Sequence, residues 1–531
     1  MAGLAVCAPF LVDAVRTLVD AGRHISMEGD TALLDLATRD FIRGNQLLGP
    51  YSRYGWHQPG PAVFAGLAGP VALFPRGAGL FLGTVLLDLA VLSTLMVLAW
   101  RRLQRTTVLW WAASVSAFVV VFGMGLLRRP WNPYMVVLPM ALFVVLCADA
   151  LTGRWASLAW ALVAGSFAVQ THVSTGAVVV ALLAVAITSL ALRWWRRRRA
   201  GVAGAAHPSA RRLTASGFGV FVLMWVLPML DVVRHRPSNL QQLWDFFTSP
   251  HPAHSLGEAA RASLTAATIL PFGSHLTVEH PTRSAAALGV GAAGILVLGA
   301  VAIVVGLRRG RPFAVALGAL GLGSFAVGTL SATRVVDTLF SYLVAWQAVV
   351  PLVLLFGVGV ALLGGTSGPG PAPAPRFGGS GAPRPVAALL AVVTAVVAVA
   401  ATVQVLRLDP PVRLADPNVA DMSRLVERHL GSAEGPVRVT LLSFEDWRLI
   451  AGLVLDLERG GHHTTVAGLG FDAPALIGRH RSPTGREPVE VVVYVVGDQR
   501  GAALASGQQL GQVSNAIVLL RRPAGPRPPD G

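Results

Sequence analysis

The residues best equipped for chemistry lie in one polar stretch, 28–61, which reads EGDTALLDLATRDFIRGNQLLGPYSRYGWHQPGP and follows the first apolar segment. Its leading acids are Glu28 and Asp30, separated by Gly29. A carboxylate such as Asp30 can act as general base on a hydroxyl, ligate a divalent ion, or anchor the helix that follows. Further along, Tyr51, Tyr54 and Trp56 offer flat faces suited to sugar rings or to interfacial anchoring. Arg53 and His57 could bind a phosphate, the arginine through its fork of donors. A structural reading is equally concrete. Asp30 would N-cap a helix over 31–43, along which Asp35 and Asp40 pair with Arg39 and Arg43 at spacings of four and three.

The elements that must position these residues are membrane spans. Of 531 residues, 53% are apolar and only 13% charged, which excludes a soluble globular protein. Runs such as 79–100, 286–307 and 385–405 are long enough to cross a bilayer as helices. About eleven transmembrane helices are expected, at roughly 2–19, 79–100, 108–127, 134–150, 156–171, 174–193, 214–230, 286–307, 312–330, 340–363 and 385–405. The segment 61–75, bounded by prolines, reads as a packed or re-entrant piece. The first segment lacks a basic n-region and is interrupted by Asp13 and Arg16, so it is a span rather than a cleaved signal. Cys7 and Cys147 are far apart in apolar stretches, which suggests neither a disulfide framework nor a redox motif.

All 43 basic residues are arginine, and the net charge is +16. The arginines cluster between apolar segments, so the charge speaks for membrane topology and anionic lipid headgroups, with no nucleic-acid partner. Clusters at 101–105, 196–199, 211–212, 308–311 and 376–384 should face the cytoplasm. Eleven spans with a cytoplasmic N-terminus satisfy all of them. The loops 20–60, 128–133, 170–175, 231–285 and 331–337 then lie outside. These hold the polar candidates, now joined by His172, Arg334 and Asp337, and by Trp244, Asp245, His251, His254 and His275.

Residues 364–384 read as a flexible cytoplasmic linker within the transmembrane domain, 1–405. After Arg407 the pattern changes. Strands are expected at 437–442, 489–496 and 515–520, with a helix at 445–459. This is a small α/β domain, 410–531, outside the membrane. The GGHH at 460–463 is better read as a solvated turn than as a metal site.

At these residues the chain resembles the GT-C fold of polytopic glycosyltransferases that use polyprenyl-phosphate-linked sugars. The resemblance rests on EGD at 28–30 and on GDTALLDLATRDF…LLGPYSRYGWHQPGP, which is similar to the opening of actinobacterial multispan proteins of the family-39-like type. RRPWNPYMVVLPMALF at 128–143 and FAVQTHVST at 167–175 resemble the same set, and the likeness covers roughly 1–405. It implies a catalytic or metal-orienting carboxylate in the first outer loop, which falls on Asp30 with Glu28 beside it. Several such families carry two adjacent acids there. Here Gly29 intervenes, which bears on any Mg or Mn ion held by the pair.

The resemblance further implies an enzyme of the bacterial plasma membrane serving cell-wall biogenesis. It would move a sugar from a polyprenyl-phosphate donor to an envelope glycan or lipid, with inversion at the anomeric carbon. Arg53, His57 or Arg334 would stabilise the leaving phosphate, with Tyr54, Trp56 and His172 binding substrate and Asp337 in support. The main alternative, a transporter or flippase of envelope precursors, wants charges near mid-bilayer. Those are scarce: Asp88 is the clearest, with Asp13 and Arg16 in the first segment. An assembly protein and a phospho-group transferase acting on lipid are further alternatives.

Overall fold

The computed structural model describes residues 2–201, 208–268, 283–364, 384–430 and 435–522. The linker expected at 364–384, but for its two ends, and His275 lie outside the described residues. The chain divides into two compact units. One comprises Met1–Val15, Gln58–Val63 and Thr84–Leu408; the other comprises Arg16–His57, Phe64–Gly83 and Asp409–Gly531. The polar stretch after the first apolar helix is thus grouped mainly with the C-terminal residues.

Ten helices among the described residues are long and apolar enough to cross a membrane. They are Ala2–Val19, Ala78–Arg102, Arg105–Phe122, Asn132–Leu151, Val173–Arg199, Pro208–Arg234, Ala285–Arg308, Pro312–Ala332, Ala345–Leu363 and Pro385–Arg407. The eleventh expected span, 156–171, is a helix as well, Trp155–Thr171, but its 17 residues fall short of that length. It packs against the helices on either side of it and against Pro208–Arg234. The count is therefore ten plus this shorter helix. Segment 61–75 forms another short apolar helix, Ala62–Leu73, with Pro70 inside it.

In lipid, apolar burial does little to bring helices together, so close packing of small residues matters more. Gly318 shows this: a Cβ there would lie 3.0 Å from the Ala302 Cβ and 3.1 Å from the Gly299 carbonyl oxygen. Gly217 sits equally tightly on Ala159, at 2.8 Å. Aromatic contacts lock Arg105–Phe122 to Val349–Leu363. Trp111 stacks on Phe356 with ring centroids 4.1 Å apart, and Trp110 Nε1 donates to the Leu355 carbonyl at 2.7 Å. Arg311 and Arg309 donate to the carbonyls of Val360, Ala361 and Leu362. They satisfy the last turn of Val349–Leu363 and complement its dipole. Two buried acids in this unit are matched by arginines: Asp13 with Arg128 at 3.1 Å, and Asp149 with Arg102 at 3.2 Å and Arg154 at 2.7 Å.

The second unit is built on a five-stranded sheet of order β2-β1-β3-β5-β4. Its strands are β1 (Val437–Leu441), β2 (Thr464–Gly468), β3 (Val489–Val495), β4 (Gln508–Val513) and β5 (Ala516–Arg521). β1 runs parallel to both β2 and β3, while β5 pairs antiparallel with β3 and β4. The helix Trp447–Arg459 carries the chain from β1 to β2. Its buried face, with Ile450, Leu453, Val454 and Leu457, also meets the helix Gly29–Ile42. The expected strands near 437, 489 and 515 and the helix near 445 are present. β2 and β4 are additional, and both are edge strands. β4 is largely exposed and polar, so the apolar alternation that marks a half-buried strand is absent from it.

Candidate active site

The helix Gly29–Ile42 opens one residue before Asp30, with Glu28 at the N-cap position making no side-chain cap bond. Asp30 therefore stands inside the first turn rather than capping a helix over 31–43. It is exposed, and its charge complements the positive end of the helix dipole. Gly29 has φ 54°, and a Cβ there would meet the Arg448 side chain at 3.3 Å. Only glycine enters the helix at that angle without strain. Arg448 ion-pairs with Glu28.

The other two acids of this helix point into the unit. Asp35 pairs with Arg39, at the expected spacing of four, and with Arg459 at 3.0 Å. Asp40 departs from expectation. In place of Arg43 it takes Arg481, through bonds of 2.7 and 2.9 Å, with His480 at 3.3 Å. Arg481 is one of the largest fully buried side chains, and it also grips Glu458 at 2.6 and 2.9 Å. Arg43, beyond the last helical residue and half exposed, pairs with Glu458 at 3.1 Å. The cause is directional: Asp40 lies on the buried face and Arg43 at the solvated C-terminal end. Burial works to raise the Glu458 carboxyl, but hydrogen bonds and charge from Arg481, with Thr464 and Arg43, outweigh it and hold the group at about 2.

The stretch 51–57 folds back on itself as a tight loop. Ser52 N donates to the Trp56 carbonyl at 2.8 Å, Tyr51 and His57 form a bridge, and Gly55 turns the chain at φ 87°. This brings three sequence candidates together. Arg53 donates to the Tyr54 hydroxyl at 2.7 Å with its guanidinium 4.9 Å from that ring, and Tyr54 stacks on the buried Trp56 at 6.4 Å. His57 turns the other way. Its Nδ1 lies 3.0 Å from the Gly49 carbonyl oxygen, and its ring meets Tyr51 edge-on.

The remaining candidates belong to the membrane unit. His172 is buried, with Nδ1 2.7 Å from Ser174 Oγ. Beside it, Gln58 accepts from Val173 N at 2.7 Å, and Gly60 lies so close to Gln170 and Pro228 that a Cβ would collide with both. The end of the GWHQPGP motif is thus a wedge between helices. Arg334 is exposed and lines a recess with Phe246, Phe247 and His251. Asp337 follows at φ 58°, and its carbonyl accepts from His254 Nε2 at 2.7 Å. Sequence reasoning named Arg334 and His251 but not the adjacent phenylalanines that give the recess its apolar wall. The pair Phe246-Phe247 in an otherwise polar segment was the available signal.

No group of three or more His, Cys, Asp or Glu among the described residues is arranged to hold a metal ion. Glu28 is engaged by Arg448, so Glu28 and Asp30 do not fit a shared ion well, and no step below runs through a metal.

The architecture matches solved structures throughout its length. A crystal structure of ArnT from Cupriavidus metallidurans bound to undecaprenyl phosphate aligns with TM-score 0.59 over 97% of both chains, at 15% identity. The apo structure of the same protein aligns with TM-score 0.57, also over 97% of both, at 14% identity. The chain shares its fold with ArnT. That fold agrees with the expected architecture of a polytopic helical membrane region followed by a small C-terminal domain with a β-sheet. No family model matches the chain, and no curated protein does.

Proposed function

We propose that this protein is a membrane glycosyltransferase that takes a sugar from a polyprenyl-phosphate donor and delivers it to a cell-envelope glycan or lipid. The observation that carries the reading is the end-to-end fold likeness to a protein seen with undecaprenyl phosphate bound. In this reading the acceptor hydroxyl attacks the anomeric carbon, a C–O bond forms to the acceptor, and the bond to the donor phosphate breaks. The hydroxyl proton passes to Asp30, the exposed carboxylate of the first turn of Gly29–Ile42. A single displacement inverts the anomeric centre. The leaving group departs as a phosphate and needs charge stabilisation more than a proton.

Arg53, His57 or Arg334 is the proposed phosphate partner. The recess of Arg334, Phe246, Phe247 and His251 combines a cation with apolar walls, as a prenyl-phosphate headgroup requires. Tyr54, Trp56 and His172 are assigned to substrate binding, with Glu28 and Asp337 in support. The chemistry is assigned to the extracytoplasmic face, with a cytoplasmic N-terminus, because the arginine clusters then all lie inside. Cysteine accessibility at single positions in 235–255 and in the C-terminal unit tests the orientation.

The direct test of the activity is reconstitution in liposomes with labelled polyprenyl-phosphate sugars and envelope acceptors. Transfer by the wild type and its loss in Asp30→Asn are expected. Undiminished transfer by the variant would sink the role of Asp30, and no transfer from any polyprenyl-phosphate sugar would sink the donor class.

A further inference from the structure

Asp446 is the buried acid of the second unit that its own packing leaves unexplained. It closes the short turn Phe444–Asp446, after β1 and before the helix Trp447–Arg459. It is only 6% exposed, and its buried Oδ2 has no hydrogen-bond partner among the described residues. Other aspartates at helix starts in this unit are used as caps. Asp472 accepts from Ala475 N at 3.1 Å and Asp498 from Gly501 N at 3.0 Å, whereas Asp446 makes no cap bond. A carboxylate left this way carries an uncompensated desolvation cost. Burial, then the neighbouring Glu445 and Asp498 carboxylates, push it up to about 6.

Its place in the sheet is informative. In the order β2-β1-β3 the chain leaves β1 towards β2 on one side, while β3 lies on the other. The crevice outside the carboxyl ends of β1 and β3 is the topological switch point, where open α/β sheets bind ligands. Asp446 follows β1, and Asp498, whose charge it feels, follows β3. An aromatic group stands at the same edge. Phe444 is 54% exposed, stacks on Trp447 with centroids 6.4 Å apart, and meets Phe471, which follows β2, edge-on at 5.2 Å.

We propose that this edge binds a saccharide unit of the acceptor glycan, with the apolar face of the sugar on Phe444 and its hydroxyl or amino donors on Asp446. The identification of the ligand with the acceptor rests on the glycosyl-transfer reading above; the binding itself does not. A divalent cation is the other ligand that carboxylates take. It fits less well, since no group of three His, Cys, Asp or Glu among the described residues is placed for one and the exposed ring would have no part in it.

The test uses the full-length protein in detergent micelles without donor lipid. Saturation transfer from protein to ligand is measured by NMR for chitotetraose, its de-N-acetylated glucosamine tetramer and cellotetraose. Transfer to at least one is expected, with Kd raised tenfold or more by Phe444→Ala and by Asp446→Asn. The second change is nearly isosteric and removes a buried charge, so its melting temperature should hold or rise. Should Phe444→Ala fail to fold, Asp446→Asn decides alone. Binding to none of the three sugars, or wild-type affinity in the variants, overturns the proposal. So does a melting shift with Ca or Mn ions that vanishes in Asp446→Asn, which would assign the site to a cation. Sugar binding without any glycosyl transfer would break the transferase reading and leave this one standing, and the converse result would do the reverse.

Discussion

The two ends of the acid series on Gly29–Ile42 behave as different materials. Asp35 and Asp40 are sunk in the unit and bound to arginines distant in sequence, Arg459 and Arg481. Glu28 and Asp30, at the N-terminal turn, stay towards solvent, one in a surface ion pair and the other exposed. The same residue type serves as an internal tie in one case and stays exposed at the surface in the other. Side-chain direction makes the difference: Asp35 and Asp40 lie on the buried side of the helix, whereas Glu28 and Asp30 lie towards solvent.

The comparison can be broken most forcefully at Arg481. Replacing it by alanine leaves Asp40 with His480 and Glu458 with Arg43 and Thr464, and a loss of about 3–5 kcal/mol in unfolding free energy is expected in denaturant titration. A loss under about 1 kcal/mol would show that Asp40 and Glu458 are hydrated and that the contrast is false. Asp30→Asn should do the opposite. Stability should stay within about 0.5 kcal/mol, while sugar transfer falls by roughly 100-fold or more, read as initial rates in liposomes. A variant that loses stability and activity together would move Asp30 to the structural side.

Acid titration sharpens the buried side. A carboxylate with a depressed pKa contributes stability that is fully present above its unfolded value near 4.5 and is lost as pH falls through about 2. Unfolding free energy should therefore drop between those pH values, with up to about 1.4 kcal/mol per pH unit arising from Glu458. Glu458→Gln should flatten that slope. The smallest effect is expected at Glu28→Gln, which removes a surface pair with Arg448 and should shift stability by no more than about 1 kcal/mol.

Much of the fold was legible because its signals are local. Apolar runs of span length need no partner to be recognised, and ten of the eleven expected spans have that length in the structure. The expected span 156–171 is a helix with nearly those bounds, Trp155–Thr171, and its 17 residues fall just short of that length. The strands β1, β3 and β5 were visible as valine- and leucine-rich runs, whereas the polar edge strand β4 gave no such pattern. In the candidate site, the pairing of Asp35 with Arg39 was readable from helical spacing. The partners of Asp40 and Glu28 were not, since they lie over four hundred residues away in the chain.

By itself, the sequence determined a polytopic membrane protein with a separate C-terminal domain, and it singled out Asp30, Arg53, His57 and Arg334 as groups able to serve a phosphate-leaving transfer. Hydrophobic length and residue chemistry are properties of short segments, so they survive without a structure. Which acids are buried in ion pairs and which stay exposed was decided only by tertiary structure. A buried ion pair such as Asp40 with Arg481 exists only once the chain has brought distant segments together and excluded water from between them. The same holds for Asp446, whose unmatched carboxylate carries meaning only through the sheet edge on which it lies.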